Sequence, residues 1–250
     1  TRFGGYARLA CTDHRAAVPI PDDLDLGTAL AMATQGATAW HMAMAAAPVQ
    51  QGDRVLVHSA AGGVGQLLLQ IALHQGCEVF AVAGGAEKMA YLKQLGVQHA
   101  IARGTADYAE QVAGLLASGK LDISYNAVGG TTFKKDMALL GTGGRLVLFG
   151  GAERGKGGAF GDLRFAWNMG LVVPIFLMMR SKSLIGVNML RLGDHKPQLV
   201  ADAMHGALSA FSAGWLKPRV HPLFTADQLP QALELLGSGK SIGKVGVRWK

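Results

Sequence analysis

The sequence predicts a doubly wound α/β protein built on a parallel sheet. Three observations predict it. Short apolar runs of strand length recur between residues 55 and 150, and helical patterns separate them. The first run breaks into the small residues Ala60-Ala61-Gly62-Gly63-Val64-Gly65, with a helix directly after. Later runs end in Gly84-Gly85, Gly129-Gly130 and Gly150-Gly151, at the carboxyl ends of strands, where such sheets bind ligands.

The elements follow in order. The opening 26 residues hold β-like pieces, with Pro19 and Pro21 punctuating a turn. Leu26–Ala47, rich in Ala and Met, reads as helix with a break around Gly36. Pro48 and Gln51-Gly52-Asp53 turn the chain into VLVHS (55–59), and helix 66–75 follows. EVFAVA (78–83) precedes helix 86–95, His99–Ala102 precedes helix 106–117, and LDISYN (121–126) precedes helix 131–140; RLVLFG (145–150) closes the series. Gly76, Gly96 and Gly119 sit past helix ends, where a left-handed cap is wanted. Residues 151–165 combine glycine and charge and read as a mobile loop. Met169–Met179 is the most apolar stretch; it is too short to span a bilayer as a helix and reads as buried or interfacial. SLIGVN (183–188) suits a sixth strand. Helix 195–213, β-like HPLFT (221–225), helix 227–236 and strand GKVGVRW (243–249) then form a second structural unit with the opening residues.

Half of the 250 residues are hydrophobic and 16% are charged, which excludes a disordered chain. The net charge of +7 suits an anionic ligand. The basic residues are dispersed and not interleaved with aromatics, so a solvated surface is favoured over nucleic-acid binding. Cys11 and Cys77 lack metal-site spacing and make no disulfide framework, and a cytoplasmic setting is expected. No metal site is expected, and H-E-x-x-H, G-x-S-x-G and G-x-x-x-x-G-K-[ST] motifs are absent from the sequence.

The Ala60–Gly65 cluster varies the dinucleotide fingerprint G-x-G-x-x-G, with Ala60, Gly62 and Gly65 in its small-residue slots. Gly62 lets backbone amides approach a pyrophosphate, and the helix N-terminus presents free N–H groups to it. The alternative is a tight strand–helix turn that binds nothing. At the tip of the second strand, Gly84-Gly85 stands where NAD-preferring sites place an acid for the ribose 2′-hydroxyl. Lys88 and Arg103 supply positive charge, which predicts NADPH over NADH; the alternative for Lys88 is a plain surface residue, and Glu87 could turn back toward the ribose. Asn126-Ala127-Val128-Gly129-Gly130 and Phe149-Gly150-Gly151 end the fourth and fifth strands, beside the expected nicotinamide half. His58 reads as a packed core residue. Tyr6 and Tyr125 are possible proton donors but read more readily as structural, and Arg180 and Lys182 as solvated cations.

The phrases GGYA (4–7), PIPDDLDLGTALAMATQGATAW (19–40), GDRVLVHSAAGGVGQLLLQIA (52–72), GCEVFAVAGGAEKMAYLKQLG (76–96), NAVGG (126–130) and SIGKV (241–245) together resemble the zinc-independent medium-chain dehydrogenase/reductases. The similarity is greatest to the quinone oxidoreductase and vesicle-amine-transport-protein-like branches, and the enoyl reductase modules of fatty acid and polyketide synthases are also similar. The resemblance implies a Rossmann domain (37–188) and parts of a GroES-like β-rich catalytic domain (1–36 and 189–250) whose remainder precedes GGYA in the family. It implies NADPH-dependent reduction of quinones or of activated C=C bonds in enones, in a homodimer. Carried over by position, Thr38 lies near the nicotinamide ribose and phosphates, and Ala60–Gly65 (Ala60, Gly62, Gly63, Val64, Gly65) cradles the pyrophosphate. Gly84, Lys88 and Arg103 hold the 2′-phosphate, Asn126, Phe149 and Gly150 line the nicotinamide pocket, and Lys240 and Gly243 reach the cofactor cleft. Two alternatives stay open: an enoyl reductase module of a synthase, and a non-catalytic NADPH-binding module that contacts partners or membranes through 166–179.

Overall fold

Apolar runs that alternate with amphipathic segments leave one economical arrangement, in which parallel strands bury both faces under helices. The computed structural model describes residues 5–104, 106–152 and 158–249. In chain order these form a 3-10 turn (His14–Ala16), α1 (Leu26–Ala31), a π-type stretch (Met32–Gly36), α2 (Ala37–Trp40), a second π-type stretch (His41–Ala46), β1 (Arg54–His58) and α3 (Gly63–His74). Then come β2 (Glu78–Ala83), α4 (Ala86–Gln94), β3 (His99–Ala102), α5 (Tyr108–Leu116), β4 (Leu121–Asn126), α6 (Thr131–Leu139) and β5 (Leu140–Leu148). The chain continues through α7 (Gly158–Met169), α8 (Pro174–Met179), β6 (Ser183–Gly186), α9 (Met189–His195), α10 (Pro197–Ser212), β7 (Phe224–Thr225), α11 (Leu229–Gly237) and β8 (Val247–Arg248). It divides into two compact units, residues 1–41, 61–71 and 188–250 in one and 42–60 and 72–187 in the other.

The second of these carries a six-stranded parallel sheet in the order β3-β2-β1-β4-β5-β6. This is the doubly wound Rossmann order, with its switch point between β1 and β4. Val55, Leu56 and Val57 pair with Val79, Phe80 and Ala81 on one side and with Ile123, Ser124 and Tyr125 on the other. Leu56, Phe80, Ile101, Leu121 and Leu146 pack against Val112 and Leu116 of α5 and Phe133 and Leu139 of α6. Each such side chain contributes roughly 1.5–3 kcal/mol by leaving water. Asp107 caps α5 by accepting from the Ala109 N–H at 2.9 Å. Gly76 and Gly96 take the left-handed conformation expected of them, but after α5 that position falls on Ala117 and not on Gly119.

In the other unit, α10 starts on Pro197 and buries Ala201, Ala203, Met204, Ala207 and Ala210, small residues that let it pack closely against the helix of residues 26–40. Two glutamines one turn apart on α3 hold the C-terminal segment by paired backbone hydrogen bonds. Gln66 Nε2 donates to the Arg219 carbonyl (3.1 Å) and its Oε1 accepts from Arg219 N–H (2.8 Å). Gln70 does the same with Lys217, at 2.9 and 2.7 Å.

Several expectations change. Residues 5–25 hold no strand, only the 3-10 turn, because the two prolines and Asp13 favour local turns. The Leu26–Ala47 helix does not break at Gly36; it widens into π-type turns. β5 begins at Leu140, five residues early, because an extended glycine-rich lead carries no apolar pattern to read. Residues 158–165 are helical, not loop, since Phe165 and Met169, one turn apart, dock on Gly129 and Gly130; residues 153–157 of that expected loop lie outside the described residues. Of the two readings of 169–179, buried or interfacial, the structure removes burial: α8 has no buried residue and Leu171 is 97% exposed.

Candidate functional site

β1 delivers the chain to Ser59, which takes a left-handed conformation (φ 52°), and Ala60 N–H ties back to the Val82 carbonyl at 3.0 Å. α3 then starts at Gly63, three residues earlier than expected, so Gly63, Val64 and Gly65 form its first turn, where N–H groups have no helical partner. Gly62 pairs with Gly243, whose N–H donates to the Ala61 carbonyl at 3.0 Å. A Cβ on Gly63 would overlap the Gln35 carboxamide, and the Gln35 Oε1 atom is buried with no hydrogen-bond partner. The missing side chain at Gly63 gives its space to Gln35, whose buried amide oxygen is left as an acceptor beside the first turn of α3. Thr38 is buried, and its hydroxyl donates to the Thr34 carbonyl at 2.6 Å. Lys240 is exposed.

The sheet unit brings Gly84, Lys88 and Arg103 together at the tips of β2 and β3. Arg103 N–H donates to the Ala83 carbonyl at 2.7 Å, and a Cβ at Gly84 would lie 3.5 Å from its guanidinium. Burial and the charge of Arg103 both lower the Lys88 pKa, against a smaller opposing effect of Glu87. Two cations therefore share one field beside α4, whose first turn has no side-chain cap at Gly85. That donor set fits a phosphate and fits a ribose diol poorly.

The tips of β4 and β5 are tied by the Phe149 N–H to the Asn126 carbonyl at 3.2 Å. Phe149 is half-buried and Gly150 exposed. The Asn126 side chain does not face outward to line a pocket, as the resemblance implies. It is fully buried, and its Oδ1 accepts from the N–H groups of Val128 and Gly129, both at 2.9 Å. Those two N–H groups point inward for the same reason. Beneath lies a polar cluster that the motifs leave unread. Asp136, with no exposed surface, accepts from Tyr108 OH (2.7 Å), Ser124 Oγ (2.8 Å) and Asn126 Nδ2 (2.6 Å), and His58 Nε2 lies 3.0 Å from both its oxygens. The available signal was an acid between Phe133 and Leu139 on the apolar face of α6.

The other candidates resolve as structural. Tyr125 OH donates to the Ala47 carbonyl at 2.9 Å inside the core. Lys182 Nζ donates to the Met137 carbonyl near the end of α6, at 2.6 Å. Among the described residues no group of three or more His, Cys, Asp or Glu could hold a metal ion, and no helix is long and apolar enough to cross a membrane.

The sequence profile of the family described as zinc-binding dehydrogenase matches residues 63–205, more than half of the chain. The spectinabilin polyketide synthase system protein NorB of Streptomyces orinoci is 31% identical over 245 residues, which cover 97% of this chain and 10% of that protein. The quinone oxidoreductase of Thermus thermophilus, solved also in complex with NADPH, superposes with a TM-score of 0.77 at 28% identity, over 98% of this chain and 74% of that one. The JamJ enoyl reductase, in its apo form, gives a TM-score of 0.79 at 26% identity, over 93% and 66% of the two chains. The chain spans between 7% and 11% of the length of the first curated relatives it matches.

Proposed function

We propose, from the premise that this chain belongs to the zinc-binding dehydrogenase family, among its medium-chain dehydrogenase/reductases, that it binds NADPH and reduces a carbon–carbon double bond conjugated to a carbonyl. Quinones, enones and enoyl thioesters share that acceptor chemistry. The observation that carries the reading is the pairing of Lys88 with Arg103 beside Gly84, a cationic site with no acid at the tip of β2.

NADPH, when bound, supplies the hydride. The chain's own residues bind and orient. Lys88 and Arg103 hold the 2′-phosphate, and the first-turn N–H groups of Gly63, Val64 and Gly65 take the diphosphate. Asn126 keeps the β4 turn in shape for the nicotinamide half. No side chain described above is a clear proton donor, so water completes the reduction.

The synthases among the relatives favour a second reading, an enoyl reductase unit acting on a carrier-bound thioester. One set of assays tests both. NADPH oxidation is followed with a panel of quinones, enones and enoyl thioesters, and KM is compared for NADPH and NADH. Lys88→Ala and Arg103→Ala are each expected to raise the NADPH KM about tenfold or more, the worth of a charge-assisted hydrogen bond, and to leave the NADH KM unchanged. Equal use of the two cofactors by the unsubstituted chain rejects the proposal.

A further inference from the structure

A buried carboxylate is costly unless its lone pairs are filled, and Asp136 fills them with four side chains drawn from β1, α5 and β4. Phe133 and Leu139 on the same face of α6 are apolar, but Tyr108, Ser124, Asn126 and His58 all bring polar atoms to this position, so an apolar residue there would strand buried donors. Besides taking those donors, the carboxylate orients an amide. A carboxylate only accepts, so the Asn126 amino group must face it, at 2.6 Å, and also donates to Thr132 Oγ1 at 2.8 Å. The amide oxygen is thereby turned toward the N–H groups of Val128 and Gly129, and Thr132 closes the same turn by donating to the Gly129 carbonyl at 2.8 Å. The Asn126 carbonyl holds Phe149, and the Ala127 carbonyl holds the Ala152 N–H at 3.1 Å. The chain of contacts runs from one buried acid to the tips of β4 and β5, which is the second mononucleotide half of a doubly wound sheet.

We propose that Asp136 is a positioning residue for the nicotinamide half of the cofactor and acts through Asn126. His58, Tyr108 and Ser124 hold the carboxylate in place, and the carboxylate sets the amide. This rests on the NADPH reading above. It separates two parts of one ligand, because the residues proposed for the 2′-phosphate, Lys88 on α4 and Arg103 just after β3, lie on elements other than β4, β5 and α6.

The test is calorimetric titration of the full chain with two probes, NADPH and adenosine 2′,5′-bisphosphate, which keeps the phosphate end and lacks the nicotinamide. Asp136→Ala is expected to weaken NADPH about tenfold, as loss of one oriented hydrogen-bond set would, and to leave the bisphosphate unchanged. Asp136→Asn keeps an oxygen for the Asn126 amino group, and Tyr108 OH can turn to the Thr132 carbonyl at 3.2 Å, so it is expected to restore NADPH binding. Failure of the unsubstituted chain to bind either probe overturns the NADPH reading itself. If that chain binds both, then unchanged NADPH affinity in Asp136→Ala, or equal losses for both probes, overturns the positioning role. Should Asp136→Ala not fold, Asn126→Ala decides. It leaves the carboxylate with Tyr108, Ser124 and His58, and must show the same loss confined to NADPH; binding of NADPH at full strength there overturns the proposal.

Discussion

Gly243 lies against the carbonyl of Arg219, and no side chain fits between them. Its backbone is left-handed at φ 72°, a Cβ would overlap that carbonyl oxygen, and its N–H holds the Ala61 carbonyl next to Gly62. Gly243→Ala therefore combines backbone strain with a clash, at a cost of about 2–3 kcal/mol. Thermal unfolding is expected to shift down by roughly 5–10 °C in a chain of this size. An unshifted melting temperature would mean the C-terminal segment is not anchored this way.

Gly84 leaves room beside Arg103, where the proposed 2′-phosphate would sit, and a carboxylate placed there would take the guanidinium for itself. The space is sufficient, since a Cβ meets Arg103 at 3.5 Å. Gly84→Asp is expected to reverse the ratio of kcat/KM for NADPH and NADH, with about a tenfold loss for NADPH from like-charge repulsion. Steady-state kinetics with both cofactors reads this directly.

If Lys88 holds the 2′-phosphate as proposed, its lowered pKa sets an alkaline limit on NADPH binding. The charged form binds phosphate, so affinity is present below the shifted value and is lost as pH rises through it, earlier than for an ordinary lysine at 10.5. The pH profile of kcat/KM for NADPH is expected to fall on that limb while the profile for NADH, with no 2′-phosphate, stays flat. Lys88→Arg, which stays charged throughout, is expected to remove the limb.

Cys77 and Cys11 report folding by their difference. Cys77 is buried and its thiol donates to the Gln50 carbonyl at 3.3 Å; burial first, then Asp53 and Asp122, push its pKa to about 11, while Cys11 is exposed. A thiol reagent at pH 8 is expected to titrate Cys11 alone in the folded chain and both thiols in denaturant. Because the fold favours the neutral thiol, this contribution to stability is whole below pH 9.0 and is lost as pH climbs toward about 11. Denaturant midpoints across that interval check the sign.

The parallel sheet was legible because its strands are buried and short: β2, a nearly unbroken apolar run, and β4, whose Leu121, Ile123 and Tyr125 alternate with polar residues, have the bounds the sequence suggests. Glycines gave the strand tips, and the absence of an acid after Ala83 pointed to Lys88 and Arg103. What the sequence hid depends on distant partners. α7 forms because Phe165 and Met169 meet a turn more than thirty residues away, and its own segment reads as loop. Asn126 looked like a pocket residue, but its amide is buried and meets Asp136, a partner that the strand pattern alone does not show. The end strands shrank to β7 and β8, two residues each, because their short β-like patterns lack partners long enough to extend them.

The glutamine clamp on α3 carries a consequence for synthesis. Gln70 and Gln66 wait for backbone that lies 147 and 153 residues further on, so a nascent chain leaves the ribosome with both amides hydrated and the C-terminal docking surface bare. At ordinary elongation rates that interval lasts about 7–30 s. Strands β2 to β6 emerge inside it and can join β1 first, which leaves closure of the clamp as a late event in biogenesis.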